Sequence, residues 1–133
     1  MKSCVIYFSR TGNTKRLAQA IADMAKAPIY ESLATDPAAN ENFDLLILGT
    51  PVEGSRPTKE IMTYISNMPT AQDKKVILFT TYRLFGNERT MNAMEKELAA
   101  KGYKTILKVS KKGMKPEKEA DYSKVLAEIQ KVL

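Results

Sequence analysis

Short apolar runs recur along the chain, each bounded by polar or turn residues. Four of them are rich in Val, Ile, Leu or Phe and too short for helices, which is typical of strands buried on both faces of a sheet. These four runs span residues 4–8, 43–48, 76–80 and 105–109. A weaker fifth run, residues 28–33, contains Pro28 and Glu31. Because proline lacks a backbone donor, this run is predicted to lie at the edge of the sheet.

Between the strands, apolar positions recur with the helical period of about 3.6 residues, which predicts four amphipathic helices. Their apolar positions are Leu17, Ile21, Met24 and Ala25, then Ile61, Ile65 and Met68, then Met91, Met94 and Leu98, and finally Tyr122, Val125, Leu126, Ile129, Val132 and Leu133. Gly102 favours a stop for the third helix, since glycine adopts the left-handed conformation freely. Glu119 and Asp121 are suitable charges near the start of the fourth.

The alternation of strands and helices predicts an α/β fold. Strands joined by helical crossovers form a parallel sheet, covered by helices on both faces through right-handed connections. For five strands we expect the doubly wound order 2-1-3-4-5, in one domain that spans residues 1–133. Ligands bind such sheets beyond the carboxyl ends of the strands, where the strand order reverses. The loops to inspect are therefore residues 9–14, 50–58 and 81–87.

The composition excludes several classes of function. With no histidine, the chain has no Ser-His-Asp triad, imidazole base or histidine zinc site. Its carboxylates are scattered, so no metal site is predicted. Cys4 is the one cysteine and lies within an apolar run, which predicts a buried hydrophobe without a catalytic role. No apolar run approaches the roughly 20 residues of a membrane helix, so we expect a cytoplasmic protein without membrane insertion.

The chain carries a surplus of positive charge. Lys and Arg number 21 against 15 Asp and Glu, a net charge of +6. This charge biases encounters toward acidic proteins, nucleotides or anionic surfaces. Part of it lies in one run, Lys108, Lys111, Lys112, Lys115 and Lys118. Because no aromatic residues are interleaved, we interpret the run as a solvated basic loop and predict no nucleic-acid partner.

The first loop concentrates hydrogen-bond donors between a buried strand and an amphipathic helix. It consists of Ser9, Arg10, Thr11, Gly12, Asn13 and Thr14. A helix N-terminus presents unpaired N–H groups and a partial positive charge, so a phosphate there gains hydrogen bonds and dipole attraction. Capping needs one such residue rather than four, which favours an anion site over an ordinary capped turn. The loop lacks the Walker and Rossmann spacings, so neither ATP nor NAD is expected.

This loop, placed after a buried strand, resembles the FMN phosphate loop of the flavodoxin family. With decreasing specificity, the resemblance extends to residues 46–57 and 75–87. It implies a flavodoxin-like, doubly wound five-stranded fold in which the FMN phosphate binds the first loop and the isoalloxazine ring lies between the other two. The cofactor-binding residues implied in those two loops are Thr50, Pro51, Val52, Glu53, Gly54, Ser55, Arg56, Thr81, Tyr82, Arg83, Phe85, Gly86 and Asn87. Tyr82 and Phe85 are both candidates for stacking on the ring, and Tyr82 is preferred because it directly follows the strand.

The resemblance implies an electron carrier that shuttles electrons between a reductase and a redox partner. Two alternatives remain: an FMN-dependent reductase acting on a small acceptor such as a quinone or tetrapyrrole, and a flavin-free binding or regulatory module of the same fold. The short loops leave little material for a substrate pocket, which favours the carrier. Many flavodoxins are acidic and flank the ring with tryptophan, whereas this chain is basic and has no Trp. We therefore expect redox partners with acidic surfaces, and a reduced anionic flavin stabilised by Arg56 or Arg83.

Overall fold

The computed structural model describes residues 2–113 and 121–133, which contain six strands and four α-helices. The strands are β1 (Ser3–Tyr7), β2 (Ile29–Glu31), β3 (Leu45–Glu53), β4 (Arg56–Pro57), β5 (Lys74–Tyr82) and β6 (Tyr103–Lys112). The helices are α1 (Asn13–Ala25), α2 (Lys59–Ser66), α3 (Asn87–Ala100) and α4 (Ser123–Gln130). In this part of the chain, no helix combines the length and the apolar character needed to cross a membrane.

The main strands form one parallel sheet in the order β2-β1-β3-β5-β6. The two-residue strand β4 pairs antiparallel with the end of β3 and lies off this path. Without β4, the order is the 2-1-3-4-5 arrangement that the sequence predicts, so the flavodoxin-like doubly wound α/β fold is confirmed. The strand order reverses between β1 and β3, and the loops after β1, β3 and β5 therefore meet at one edge.

Helices cover both faces of the sheet and bury the central strands completely. One layer contains Ile6, Leu46, Leu48, Val76 and Leu78 of the sheet with Ile61, Ile65, Met94 and Leu98 of α2 and α3. The other contains Val5, Leu45, Ile47, Ile77 and Phe79 with Leu17, Ile21, Val125 and Ile129 of α1 and α4. Each fully buried Leu, Ile or Phe contributes about 1.5–3 kcal/mol to folding. Most helical positions predicted from the 3.6-residue period pack on the sheet. Ala25 is only half-buried, and Leu133 lies beyond the end of α4 and is 40% exposed.

Strand ends differ from the predicted ones, for local reasons. β3 continues through Glu53 because its last residues pair with β4, and β5 continues to Tyr82 because it pairs with β6 up to that residue. Thr50–Glu53 and Thr81–Tyr82 are thus strand rather than loop. β2 lies at the sheet edge as predicted but is shorter, because the Glu31 carboxylate accepts the N–H of Leu33 at 3.1 Å and closes a 3₁₀ turn.

The basic run does not form a loop over the residues that are described. Lys108, Lys111 and Lys112 belong to β6, which extends to Lys112 because its backbone pairs with β5 up to Tyr82. The interpretation as a basic loop is therefore wrong for these three lysines. Lys115, Lys118 and Glu119 lie outside the described residues.

The turn after α3 lies in close contact with Ala71. The helix ends at Ala100, as the sequence predicts, and Gly102 follows in the left-handed region with φ of +93°. A Cβ atom at Gly102 would lie only 1.7 Å from the carbonyl oxygen of Ala71. The Ala71 N–H in turn donates to the Lys101 carbonyl at 2.8 Å. A side chain at position 102 would therefore break a backbone contact as well as strain the turn.

Cys4 is fully buried in β1, as its apolar setting predicts. Burial raises the pKa of its thiol from 9.0 to about 12, although the positive charge of Lys74 acts in the opposite direction. In the unfolded chain the thiol ionises near pH 9, whereas in the folded chain it remains neutral. Its contribution to stability is therefore complete below pH 9 and is lost as the pH rises toward about 12.

We expect the free energy of unfolding to fall between about pH 9 and pH 10 by up to about 1.4 kcal/mol because of Cys4. Cys4→Ala removes the titrating thiol, so the variant should lose less stability over the same interval, whatever its stability at neutral pH. Urea denaturation of both proteins at several pH values measures this difference. An identical pH dependence in both proteins would contradict the assignment to Cys4.

Candidate functional site

The loops after β1, β3 and β5 enclose a cavity of about 230 Å³ at the carboxyl edge of the sheet. We call it the three-loop cavity. It is lined by Arg10, Thr11, Asn13, Pro51, Val52, Glu53, Thr81, Tyr82, Arg83 and Gly113. The structure thus brings together residues from all three loops that the sequence analysis selects, at the position where the strand order reverses.

The first loop places its polar groups around the N-terminus of α1. Gly12 precedes the helix with φ of +102°, and Asn13 is its first residue. The Ser9 hydroxyl accepts hydrogen bonds from the backbone N–H groups of Gly12 and Lys15, at 3.1 and 3.2 Å. Thr11 and Asn13 line the cavity at this end. An anion at this end would meet hydroxyl, amide and N–H groups together with the helix dipole.

Thr14 connects the first loop to β5. Its side chain is buried, and its hydroxyl lies 2.6 Å from the hydroxyl of Thr81. Thr81 is itself nearly buried and lines the cavity from the other side. The buried hydrogen bond therefore holds the first turn of α1 and the end of β5 in a fixed relation.

The Arg10 guanidinium ties the first loop to two other elements. It donates to the carboxylate of Glu53 on β3 and, at 3.1 and 3.2 Å, to both carboxylate oxygens of Glu60 on α2. It also lies 5.0 Å from the ring centroid of Phe8. Its hydrogen bonds, chiefly to Glu53 and next to Glu60, raise the pKa of Arg10 above its ordinary value. The pKa of Glu60 is lowered, first by its own backbone N–H and then by Arg10.

The second loop is a tight hairpin between β3 and β4. Gly54 and Ser55 both adopt positive φ, +59° and +61°, which reverses the chain in two residues. Pro51, Val52 and Glu53 line the cavity, but Thr50 does not. The buried hydroxyl of Thr50 instead accepts the N–H of Thr58 at 3.2 Å. Thr50 therefore anchors the hairpin to the start of α2.

Gly54 and Ser55 of the second loop line a neighbouring cavity of about 310 Å³ rather than the three-loop cavity. Arg56 is exposed and lines neither of them. The roles that the resemblance implies for these residues at a flavin remain predictions.

Residues of the third loop line both the three-loop cavity and the neighbouring one. Thr81, Tyr82 and Arg83 line the three-loop cavity, whereas Phe85 is 72% exposed and lines the neighbouring one. This placement favours Tyr82 over Phe85 as the residue beside a bound ring.

The end of the third loop lies away from the three-loop cavity. A Cβ at Gly86 would lie 2.8 Å from the Cα of Ser55, so the second and third loops pack directly together. Asn87 donates to the Ser110 hydroxyl at 2.9 Å and lines a separate cavity between α3 and β6.

Two residues of the site are absent from the sequence-based selection. Gly113 follows β6, lines the cavity, and donates its N–H to the Tyr82 carbonyl at 2.8 Å. Its position after a strand of the same parallel sheet is the signal that points to it. Glu60, the second partner of Arg10, has no signal in the sequence. It lies within a helix, 50 positions after Arg10.

Comparison with known proteins agrees with this geometry. A model of the flavodoxin domain matches residues 4–108. An uncharacterized protein of Methanocaldococcus jannaschii is 26% identical over 107 residues, which cover 80% of this chain and 71% of that relative. Oxidised Flavodoxin 1 from Bacillus cereus superposes with a TM-score of 0.81 at 22% identity, over 100% of this chain and 99% of that one. The flavodoxin of Streptococcus pneumoniae TIGR4 superposes with a TM-score of 0.75 at 16% identity, over 89% of this chain and 88% of that one.

At 22% and 16% identity, the two superposed structures show similarity of fold alone. The domain match extends from β1 into β6 and includes all three loops of the cavity. On this basis, the chain belongs to the flavodoxin family.

Proposed function

We propose that the protein binds FMN in the three-loop cavity and carries electrons between a reductase and a redox protein. Membership of the family indicates a flavin cofactor. One observation carries the choice of FMN: the cavity runs without interruption from the N-terminus of α1 to Tyr82 and Arg83. An anionic phosphate and a planar ring each find matching groups at its two ends.

At the phosphate end, the chain supplies neutral donors. Thr11 and Asn13 offer a hydroxyl and an amide, and the N-terminus of α1 adds its N–H groups. The guanidinium of Arg10 is held by two carboxylates, so it acts on loop position rather than as a free counter-charge. Phosphate recognition then depends on directed hydrogen bonds and on the helix dipole.

At the ring end, the chain supplies an aromatic side chain, an apolar wall and a cation. Tyr82 and Val52 would hold the ring at this end of the cavity, Tyr82 by aromatic contact and Val52 by an apolar wall. Bound FMN would supply the chemistry, which is the stepwise acceptance and release of single electrons. The exposed guanidinium of Arg83 would favour negative charge on the reduced cofactor. A basic chain with this arrangement is suited to partners with acidic surfaces.

Binding and absorbance measurements test the proposal. The purified protein, titrated with FMN, FAD and riboflavin, should bind FMN most tightly and show a flavin absorbance band when saturated. Riboflavin lacks the phosphate, so its weaker binding reports the first loop directly. A protein that stays colourless and ignores FMN would overturn the proposal in favour of a flavin-free module. Steady turnover of a quinone without a protein partner would favour the reductase instead.

Arg10→Gln should weaken FMN binding by about fivefold, an effect of the size expected for an exposed ion-pair network. The variant frees Glu53 and Glu60, and leaves Glu53 as an uncompensated negative charge beside the cavity. Lys59→Gln is the matched control, because Lys59 is exposed next to Glu60 but makes no ion pair within the described residues. Fluorescence titration at low and high salt measures the difference. Equal FMN affinities for the two variants would contradict a role for the Arg10 network.

A further inference from the structure

Two consecutive large apolar side chains are exposed at the rim of the proposed cofactor site. Leu84 and Phe85, in the loop between β5 and α3, are 65% and 72% exposed. The apolar residues of the central strands are by contrast buried. Exposed apolar residues that lie side by side and adjoin a functional cavity mark interaction sites more often than isolated ones do.

The exposed pair is continuous with the three-loop cavity. Leu84 and Phe85 line the neighbouring cavity of about 310 Å³ described above, which is an open groove, together with Val52, Gly54, Ser55 and Arg83. Val52 and Arg83 also line the three-loop cavity, so the two spaces share a wall. A protein seated on this groove would therefore lie against the ring end of the cofactor site, where a short path for an electron is available.

The loop that carries the pair is held in place by the hairpin beside it. Gly86 follows Phe85 with φ of +96°, and a Cβ there would lie 2.8 Å from both the Cα and the Oγ of Ser55. Leu84 and Phe85 are thus presented from a backbone that packs closely on the second loop. A preorganised surface costs less entropy on association than a loop that must first be ordered.

Exposed arginines lie in the second loop, in the third loop beside the exposed pair, and in the first turn of α3. Arg56, Arg83 and Arg89 are exposed, and within the described residues none of them makes an ion pair. The nearby carboxylate of Glu53 is already bound by Arg10, while Glu88 adds a negative charge at the start of α3. The local balance is therefore positive, in line with the net charge of +6. Its electrostatic complement is an acidic protein surface.

We propose that Leu84 and Phe85, with Arg83 next to them in the loop and Arg89 in the first turn of the following helix α3, form the docking surface for an acidic redox protein. This inference rests on the proposed electron-carrier function and names the surface that serves it. The apolar pair supplies the desolvated centre of the contact, and the arginines form a charged rim that steers the partner. A protein is favoured over a lipid surface because the pair lies on a short loop rather than on an amphipathic helix.

Electron transfer to two haem proteins of opposite surface charge tests the surface. The FMN-loaded protein is reduced and mixed in a stopped-flow instrument with ferric cytochrome b5, whose haem edge is acidic, or with ferric cytochrome c, whose haem edge is basic. In each event one electron passes from the reduced flavin to one ferric haem; two such events return the anionic reduced flavin to the oxidised state and release one proton to solvent. Wild type should reduce cytochrome b5 faster, and added salt should slow that reaction.

Leu84→Ser and Arg89→Glu are the informative variants. Each should slow reduction of cytochrome b5 by at least about tenfold, by loss of the apolar contact or by reversal of the rim charge. Leu33→Ser and Lys104→Glu are matched controls: Leu33 is 69% exposed beside β2, and Lys104 is exposed at the opposite end of β6. Both controls should keep the wild-type rate. Reduction of neutral 1,4-benzoquinone should be the same for all variants.

The outcomes separate the inference from the function on which it rests. If wild type binds no FMN, the proposed function fails. If wild type binds FMN and reduces both acceptors, but Leu84→Ser and Arg89→Glu match the controls, the docking surface alone is overturned. Binding to anionic lipid vesicles that Leu84→Ser abolishes would also overturn it, in favour of a membrane surface.

Discussion

Changing Thr11, Gly12 and Asn13 together to alanine is expected to lower FMN affinity by about 1,000-fold, while riboflavin affinity falls less than about threefold. The three changes remove the hydroxyl and the amide that line the phosphate end and disturb the left-handed turn before α1. Hydrogen bonds to a charged group contribute about 1.5–3 kcal/mol each, so the loss of two accounts for the factor. Riboflavin has no phosphate and should be nearly indifferent to the loop.

Fluorescence titration with the two flavins measures the effect, and far-UV circular dichroism shows that the variant is folded. Thr63→Ala with Asn67→Ala is the matched control, because both residues are exposed at the far end of α2. A triple variant with wild-type FMN affinity would remove the basis for placing the phosphate at this loop.

Gly102→Ala should lower the free energy of unfolding by about 3 kcal/mol, which is large for the addition of one methyl group. Two costs add at this position. An alanine in the left-handed region costs about 1–2 kcal/mol, and its Cβ would lie 1.7 Å from the Ala71 carbonyl oxygen, a backbone atom that has no rotamer to adopt. The turn between α3 and β6 and the segment that contains Ala71, between α2 and β5, must then move apart.

Gly54→Ala separates these two costs. Gly54 also has positive φ, +59°, but a Cβ there meets nothing within 4 Å. This variant should therefore lose only about 1 kcal/mol, from backbone strain alone. Urea denaturation of both variants gives the comparison, and equal losses would mean that the contact with Ala71 has no energetic role.

Much of the fold is readable in the sequence because the central strands carry continuous apolar runs. Burial on both faces leaves no polar alternation in residues 45–48 or 76–79, and the intervening helices show the period of their buried faces. Strand ends are less readable, since they depend on neighbours. Thr50 and Pro51 become strand because they pair with β5. Val52 and Glu53 do so because they pair with β4, a partner of two residues that has no pattern of its own.

The candidate site, too, is readable in the sequence only where its residues are close together along the chain. The first loop is local in sequence, so its donors are visible as one motif of six residues. The ion pairs of Arg10 join positions 43 and 50 residues apart, and only the fold brings them together. Phe85 also follows no local rule: it is 72% exposed, whereas Tyr82, three residues earlier, lines the cavity.

The lysines of β6 have a consequence for self-association. β6 is an outer strand of the described sheet, and its unpaired backbone groups are a template on which another chain could add a strand. Lys104, Lys108 and Lys112 recur along this strand and are exposed, and Lys108 forms an ion pair with Glu95 of α3. Two strands of this composition placed edge to edge would bring like charges together, so the same residues that make the chain basic also protect it from aggregation.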